Sequence, residues 1–311
     1  MKILITGIHG FVGSNLVEFL KIDNEIYGLD IITPQKDGVV RTFSWDDLDS
    51  RILPEIDAII HLAGKAHDTK NAAAADVYFK VNTGLTQRIF DYFLSSGTKK
   101  FVFFSTAKAA ADRVEGVLTE DVVPNPVGPY GESKIKAEEY ISSRMTEQKQ
   151  VYILRPCMIH GPGNKGNLNL LYGVVKKGIP WPLGAFENRR TFTSIENICF
   201  VVDGLLRNDV ESGIYNMGDD EALSTNELIE VICSVLGKKA HIWRISQDFM
   251  TFCARLGGLL HLPLNPDRLQ KLTENYVSSN EKIKTALRIE KMPVTAREGL
   301  IRTIRSFCDS K

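Results

Sequence analysis

Short apolar runs alternate with longer segments whose apolar residues recur every three or four positions through the first half of the chain. KILIT, at the N-terminus, has the length and composition of a strand buried on both faces. FVGSNLVEFLK follows with helical spacing. EIYGLD, the weaker GVVRTF and IDAIIHLA read as three more strands, and ADVYFKVNTGLTQRIFDYFLSSG as one long amphipathic helix closed by Gly97. KFVFFST is another strand. Tyr130 then opens a helix through YGESKIKAEEYISSRM, just after the helix-averse run VVPNPVGP, and VYILRP is the strand that follows. Strands alternating with helices predict a doubly wound α/β fold, a parallel sheet covered on both faces.

After Pro156 the rhythm changes. The next segment, HGPGNKGNLNLLYGVVKKGIPWPLGAFENRR, is rich in Gly, Asn and Pro and carries one short helical stretch. TSIENICFVVDGLLRN reads as a helix and GIYNMG as a strand that returns to the sheet. From about Asp219 the pattern is mainly helical, with STNELIEVICSVLG showing a hydroxyl cap and a terminal glycine. The predicted division is a doubly wound domain over 1–160, completed by about 190–217. Residues 161–189 and 218–311 form a smaller lobe at the carboxyl edge of the sheet, where open α/β folds bind ligands.

Composition narrows the function classes. The chain has 311 residues, 43% hydrophobic and 24% charged, enough for a large buried core. Lys plus Arg and Asp plus Glu each number 38, so net charge points to neither nucleic acid nor an anionic membrane. No apolar run reaches the ~20 residues of a membrane span; FCARLGGLLHLPL is broken by Arg255, His261 and Pro263. MKILITG is too short in its apolar part for a signal peptide. Cys157, Cys199, Cys233, Cys253 and Cys308 are scattered and in apolar company, as expected of reduced thiols in a cytoplasmic protein. No His, Cys and carboxylate spacing suggests a metal site.

Three stretches carry chemistry. TGIHGFVG sets Gly7, Gly10 and Gly13 between the first strand and the first helix, where a diphosphate can approach the backbone and rest on free N–H groups. The spacing is G-x-x-G-x-x-G. Asp30 ends the second strand, placed to accept hydrogen bonds from adenosine ribose hydroxyls. It would repel a 2′-phosphate, and Ile31 and Ile32 offer no compensating arginine, which favours NADH over NADPH. YGESK places Tyr130 and Lys134 on one helix face. A tyrosine with a pKa near ~10 is a poor base at neutral pH, and a nearby fixed cation favours its phenolate. The pattern is loose by itself.

Taken together, TGIHGFVG, IIHLAG, VNTG, FFST, YGESK and LRPCMIHGPG resemble the extended short-chain dehydrogenase/reductase family of nucleotide-sugar epimerases, dehydratases and reductases, in that family's order over nearly the whole chain. The resemblance implies an NAD(P)-binding Rossmann fold. It makes Tyr130 the general acid/base, and Lys134 the group that lowers its pKa and bonds the nicotinamide ribose. Thr106, with Ser105 as the other register, would hold the reacting sugar oxygen. The glycine turn (Gly7, Gly10, Phe11, Val12, Gly13), Asp30, Leu62, Ala63, Gly64, Asn82 and Pro156 would line the cofactor groove. His61 reads as a satisfied core histidine. Arg190 and Asn167 match the family residues that bond the nucleotide diphosphate.

The segments GPGNKGNLNLL and GIPWPLGAFENRRTF, with YNMGDDEALSTNELIEVI, resemble a narrower branch: reductases acting at C4 of UDP-4-keto-6-deoxy-N-acetylhexosamines in surface-polysaccharide synthesis. One departure stands out. Where family epimerases and dehydratases usually read x-x-Val-Tyr-Gly after the Ser/Thr, this chain reads AKAAA from Ala107 to Ala111. Lys108 is then either a sugar contact or a solvated lysine. The expectation is a 4-reductase of a UDP-sugar, with a UDP-glucose or UDP-N-acetylglucosamine 4-epimerase as the alternative and a non-catalytic NAD sensor as a rival from another class. A homodimer is left open.

Overall fold

The computed structural model describes residues 1–65, 74–164, 166–260 and 264–309; His261 and Pro263 fall outside them. In chain order the strands are β1 (Lys2–Thr6), β2 (Glu25–Leu29), β3 (Arg41–Phe43), β4 (Ala58–His61), β5 (Lys100–Phe104), β6 (Val117–Leu118), β7 (Gln150–Pro156), β8 (Met158–His160), β9 (Phe192–Ser194), β10 (Gly213–Met217) and β11 (Val277–Ser278). Among the described residues, seven of them form one parallel sheet in the order β10-β7-β5-β4-β1-β2-β3. The chain runs outward from β1 through β2 to β3, then crosses back to β4 on the other side. That reversal leaves a crevice at the carboxyl ends of β1 and β4.

Alternation along the strands explains the two-sided burial. Ile3 and Ile5 of β1 join Ile60, Val102 and Leu154 on one face, beneath Leu16, Val17 and Leu20 of the helix Phe11–Leu20 and Ile198, Val202 and Leu205 of the helix Ile195–Arg207. Leu4 joins Ile59, Phe101, Phe103 and Ile153 on the other, against Phe90 and Phe93 of the helix Leu85–Ser95 and Ala137 and Ile141 of the helix Pro129–Ser142. Phe90 meets Phe101 edge-on at 5.1 Å. These are strands without a solvent face, so continuous apolar runs were the right signal.

The mainly helical C-terminal region builds its own core from Leu168, Tyr172, Ile229, Ile232, Leu300 and Ile304. Ser224 caps the helix Thr225–Val235: its Oγ accepts from the Glu227 N–H at 3.1 Å, and Glu227 Oε2 accepts from the Ser224 N–H at 2.7 Å. Two short parallel pairs, β8 with β9 and β11 with β6, join this region to the sheet. No helix of the described residues is long and apolar enough to cross a membrane.

One element departs from its predicted form. The long helix expected from residue 75 to Gly97 is interrupted by a wider π turn over Phe79–Gly84, between Ala75–Tyr78 and Leu85–Ser95. Thr86 Oγ1 donates to the Asn82 carbonyl at 2.6 Å, so a side chain enters the backbone ladder there. Apolar periodicity does not register such a bond.

Candidate active site

Four segments meet at the crevice. The glycine turn follows β1, with Gly7 at φ +68°, a left-handed backbone that suits glycine. A Cβ on Gly7 would lie 3.0 Å from the Ala63 nitrogen, and one on Gly13 2.6 Å from the Gly7 carbonyl oxygen. The turn is therefore as tight as its sequence implied. The helix Phe11–Leu20 begins without a side-chain cap and without acidic residues in its first turn, so its leading N–H groups face the crevice unneutralised. Those features fit a dinucleotide diphosphate. Asn15 Nδ2, donating to Phe11 and Pro162 carbonyls at 2.9 and 3.2 Å, ties this helix to the GPG loop.

The second segment follows β4. Thr6 Oγ1 accepts from the Leu62 and Ala63 N–H groups at 3.1 and 2.9 Å and lies 2.7 Å from His61 Nδ1. His61 Nε2 lies 2.9 Å from Thr86 Oγ1. Burial, with the charge of Lys134 adding to it, holds His61 well below the ordinary histidine range. It is a neutral core histidine with both ring nitrogens partnered. Asn82, expected in the groove, is fully buried behind it. Its Oδ1 accepts from the Lys65 N–H at 2.7 Å, and its Nδ2 donates to Lys65 O at 3.2 Å and Ser133 Oγ at 2.9 Å. Asn82 thus braces the wall formed by Gly64 and Lys65 against the YGESK helix.

The third and fourth segments are the end of β5 and the helix Pro129–Ser142. Pro129 occupies the first turn, where its missing N–H costs nothing. Gly131 lets the helix press against the segment after β5: a Cβ there would stand 2.7 Å from Lys108 O. The two registers of FFST have different partners. Ser105 Oγ points inward to the Glu138 carboxylate, whereas Thr106 Oγ1 accepts from the Lys108 N–H at 3.3 Å and stands beside Tyr130, close enough to act on its phenol. Tyr78 packs edge-on against the Tyr130 ring at 6.3 Å. Burial pushes the Tyr130 phenol up; Thr106 pulls it down, and Tyr78 adds a further upward push. Lys134 Nζ donates to the Phe104 carbonyl at 2.8 Å and would lie 3.3 Å from a Cβ on Gly64. Burial pushes its ammonium down to about 8, against an upward pull from Glu138.

Asp30 stands at the far end of the crevice, its carboxylate on the glycine turn through the His9 N–H at 3.2 Å. Pro156 closes β7 and is buried. The substrate-side residues are more dispersed. Lys108 pairs with Asp112 at 2.8 Å. Arg190 Nη1 donates to Lys271 O at 2.9 Å, and its Nη2 lies 3.8 Å from Glu274. Asn167 opens the helix Asn167–Lys176 and is exposed, while Asn169 accepts from the Gly166 N–H at 3.0 Å. Sequence reading passed over Glu138, Arg155, Asp112 and Glu274. Glu138 and Asp112 each carry a usable signal, a four-residue spacing from Lys134 and from Lys108.

The model of the family described as "NAD dependent epimerase/dehydratase family" matches residues 3–218, from β1 to the end of β10. The chain belongs to this family. The protein is an enzyme of that kind. A UDP-glucose 4-epimerase of Vibrio cholerae is 29% identical, covering 98% of this chain and 95% of its own length. An N-acetyl-alpha-D-glucosaminyl-diphospho-ditrans,octacis-undecaprenol 4-epimerase of Escherichia coli O157:H7 is 26% identical, covering 98% and 94%. The UDP-glucuronic acid 4-epimerase of Bacillus cereus, solved in complex with NAD, superposes with a TM-score of 0.77 at 21% identity, over 100% of this chain and 97% of that one. At that identity the likeness shows the shared fold.

Proposed function

We propose that the protein uses NADH to reduce C4 of a UDP-4-keto-6-deoxy-N-acetylhexosamine in surface-polysaccharide synthesis. The observation that carries this reading is the meeting of Tyr130, Lys134 one helical turn on and Thr106 at the mouth of a dinucleotide-type crevice, with Thr106 acting on the Tyr130 phenol. Residues 1–160 with about 190–217 would take the cofactor, and 161–189 with 218–311 the UDP-sugar through Arg190 and Asn167. Asp30 favours NADH, since a 2′-phosphate would meet its charge.

A bound nicotinamide dinucleotide would supply the hydride that C4 takes up. The chain supplies the proton. Tyr130 gives its phenolic proton to the C4 oxygen as negative charge gathers there. Thr106 holds that oxygen by a hydrogen bond, and the Lys134 ammonium stabilises the phenolate left behind. The environment that raises Tyr130 keeps it protonated beforehand, the starting state a reduction needs. Ala107, Ala109 and Ala110 are buried where family epimerases usually carry a tyrosine nearby, and this too supports the reductase.

A second reading, a UDP-hexose or UDP-N-acetylhexosamine 4-epimerase, is favoured by the two relatives that match almost the full chain. Cofactor accounting separates the two. A reductase oxidises one NADH for each keto sugar consumed; an epimerase retains its NAD and shows no net change at the nicotinamide band. We expect stoichiometric NADH oxidation and little exchange between UDP-glucose and UDP-galactose. Rapid UDP-hexose interconversion by protein carrying its own NAD⁺, with no oxidation of added NADH, would leave the epimerase standing.

A further inference from the structure

Behind the crevice lies a buried charge pair that the scheme above does not use. Arg155 of β7 and Glu138 of the helix Pro129–Ser142 are each 1% exposed. Arg155 Nε donates to both carboxylate oxygens at 3.1 Å, and Nη2 donates to Oε2 at 2.6 Å. Ser105 Oγ, from the residue before Thr106, donates to Oε1. The carboxylate is thus held from β7 and from the residue that follows β5.

Glu138 follows Lys134 by four residues, as Lys134 follows Tyr130, so the three side chains run along one helical stripe. With Arg155 they form a line of phenol, ammonium, carboxylate and guanidinium. As a pin for the fold, a well-packed apolar pair would serve as well, because desolvation offsets much of a buried pair's attraction. An apolar pair could not hold a negative charge one turn from Lys134. The Lys134 side chain lies 4.9 Å over the Phe103 ring and has little access to water. A buried ammonium without an anion nearby tends to shed its proton.

We propose that Glu138, fixed by Arg155 and Ser105, is a positioning residue that keeps the Lys134 ammonium charged inside the crevice, and so sets the upper pH limit of cofactor binding. This rests on the reading of Lys134 as the group that bonds the nicotinamide ribose. The surroundings of Lys134 agree with it. From β4 it faces His61, which is neutral; from β5, Phe103 and the Phe104 carbonyl; from the wall after β4, Gly64, with the uncharged Asn82 behind. Tyr130 lies on its own helix, with Tyr78 against that ring, and Arg155 lies beyond Glu138. The upward pull on Lys134 comes from Glu138.

The test is NAD⁺ affinity by calorimetry across about pH 6 to 9, with thermal melting as the check on folding. In the unaltered protein, affinity should fall as pH rises past about 8, and Lys134→Met should abolish that fall. Glu138→Gln should move it down by ~1 pH unit, so that affinity drops roughly 5-fold near pH 8 and under 2-fold at neutral pH and below. Glu138→Leu with Arg155→Met should restore the melting temperature and keep the displaced profile. An undisplaced profile in either folded variant overturns the proposal, as does a fall that survives Lys134→Met. Turnover plays no part, so a protein with the expected profile but no action on UDP-sugars would sink the proposed function and leave this inference intact.

Discussion

The carboxylate of Asp30 reaches back from the end of β2 to the glycine turn, where its Oδ2 accepts from the His9 N–H at 3.2 Å while Oδ1 accepts from the Ile31 N–H at 2.7 Å. One side chain therefore shapes the turn that would receive a diphosphate and, in the proposed reading, would present negative charge to the adenosine ribose.

The unaltered protein should bind NADH more tightly than NADPH, and Asp30→Ala should narrow the gap. Because the turn also loses its brace, NADH itself should weaken, by roughly 10-fold for a lost charge-assisted bond. Equilibrium titration with both cofactors decides this; a preference for NADPH in the unaltered protein contradicts it.

Tyr130→Phe removes the proton donor and keeps the ring against Tyr78. Turnover should fall by roughly 100-fold or more, with cofactor affinity little changed. Single-turnover rates and NAD⁺ binding are the measurements, and near-normal turnover removes Tyr130 from the mechanism.

Gly131→Ala sets a helix gain against a steric loss. Alanine adds up to ~1 kcal/mol of helix propensity, but its Cβ would meet Lys108 O at 2.7 Å and the Pro126 Cβ at 2.8 Å. Overpacking of this kind costs about 1–3 kcal/mol. The variant should melt lower and, by pushing the helix from the Thr106 segment, turn over more slowly. A higher melting temperature would show that the segment yields easily.

Arg190 already has an anionic neighbour, Glu274, 3.8 Å from its Nη2. A UDP diphosphate drawn to Arg190 has to compete with that carboxylate. Arg190→Ala should raise KM for the UDP-sugar by roughly 10- to 100-fold with kcat less affected, and Glu274→Gln should lower KM. Equal KM values in all three proteins would place the diphosphate elsewhere.

His61 is held well below its ordinary value by burial. The unfolded chain therefore binds a proton that the native state refuses, and stability should fall as pH drops below about 6.5, by up to about 1.4 kcal/mol per unit. Urea midpoints across that range should fall less steeply for His61→Gln than for the unaltered protein. Parallel slopes would show that His61 does not set the acid limit.

The sheet was legible in the chain because its strands are buried on both faces and its glycine turn, YGESK helix and strand ends are local patterns. Tyr130 and Lys134 needed only the four-residue repeat of a helix to be placed together. Tertiary contact alone decided the rest. Apolar periodicity says nothing of where a hydroxyl points, so the inward turn of Ser105 to Glu138 and the approach of Thr106 to Tyr130 appear only when β5 meets the helix. The π turn over Phe79–Gly84 and the Thr86 bond to the Asn82 carbonyl leave no mark in the apolar spacing. Arg155 lies 17 residues from Glu138 in sequence, and a charge in a buried strand is explained only by the partner that the fold brings to it.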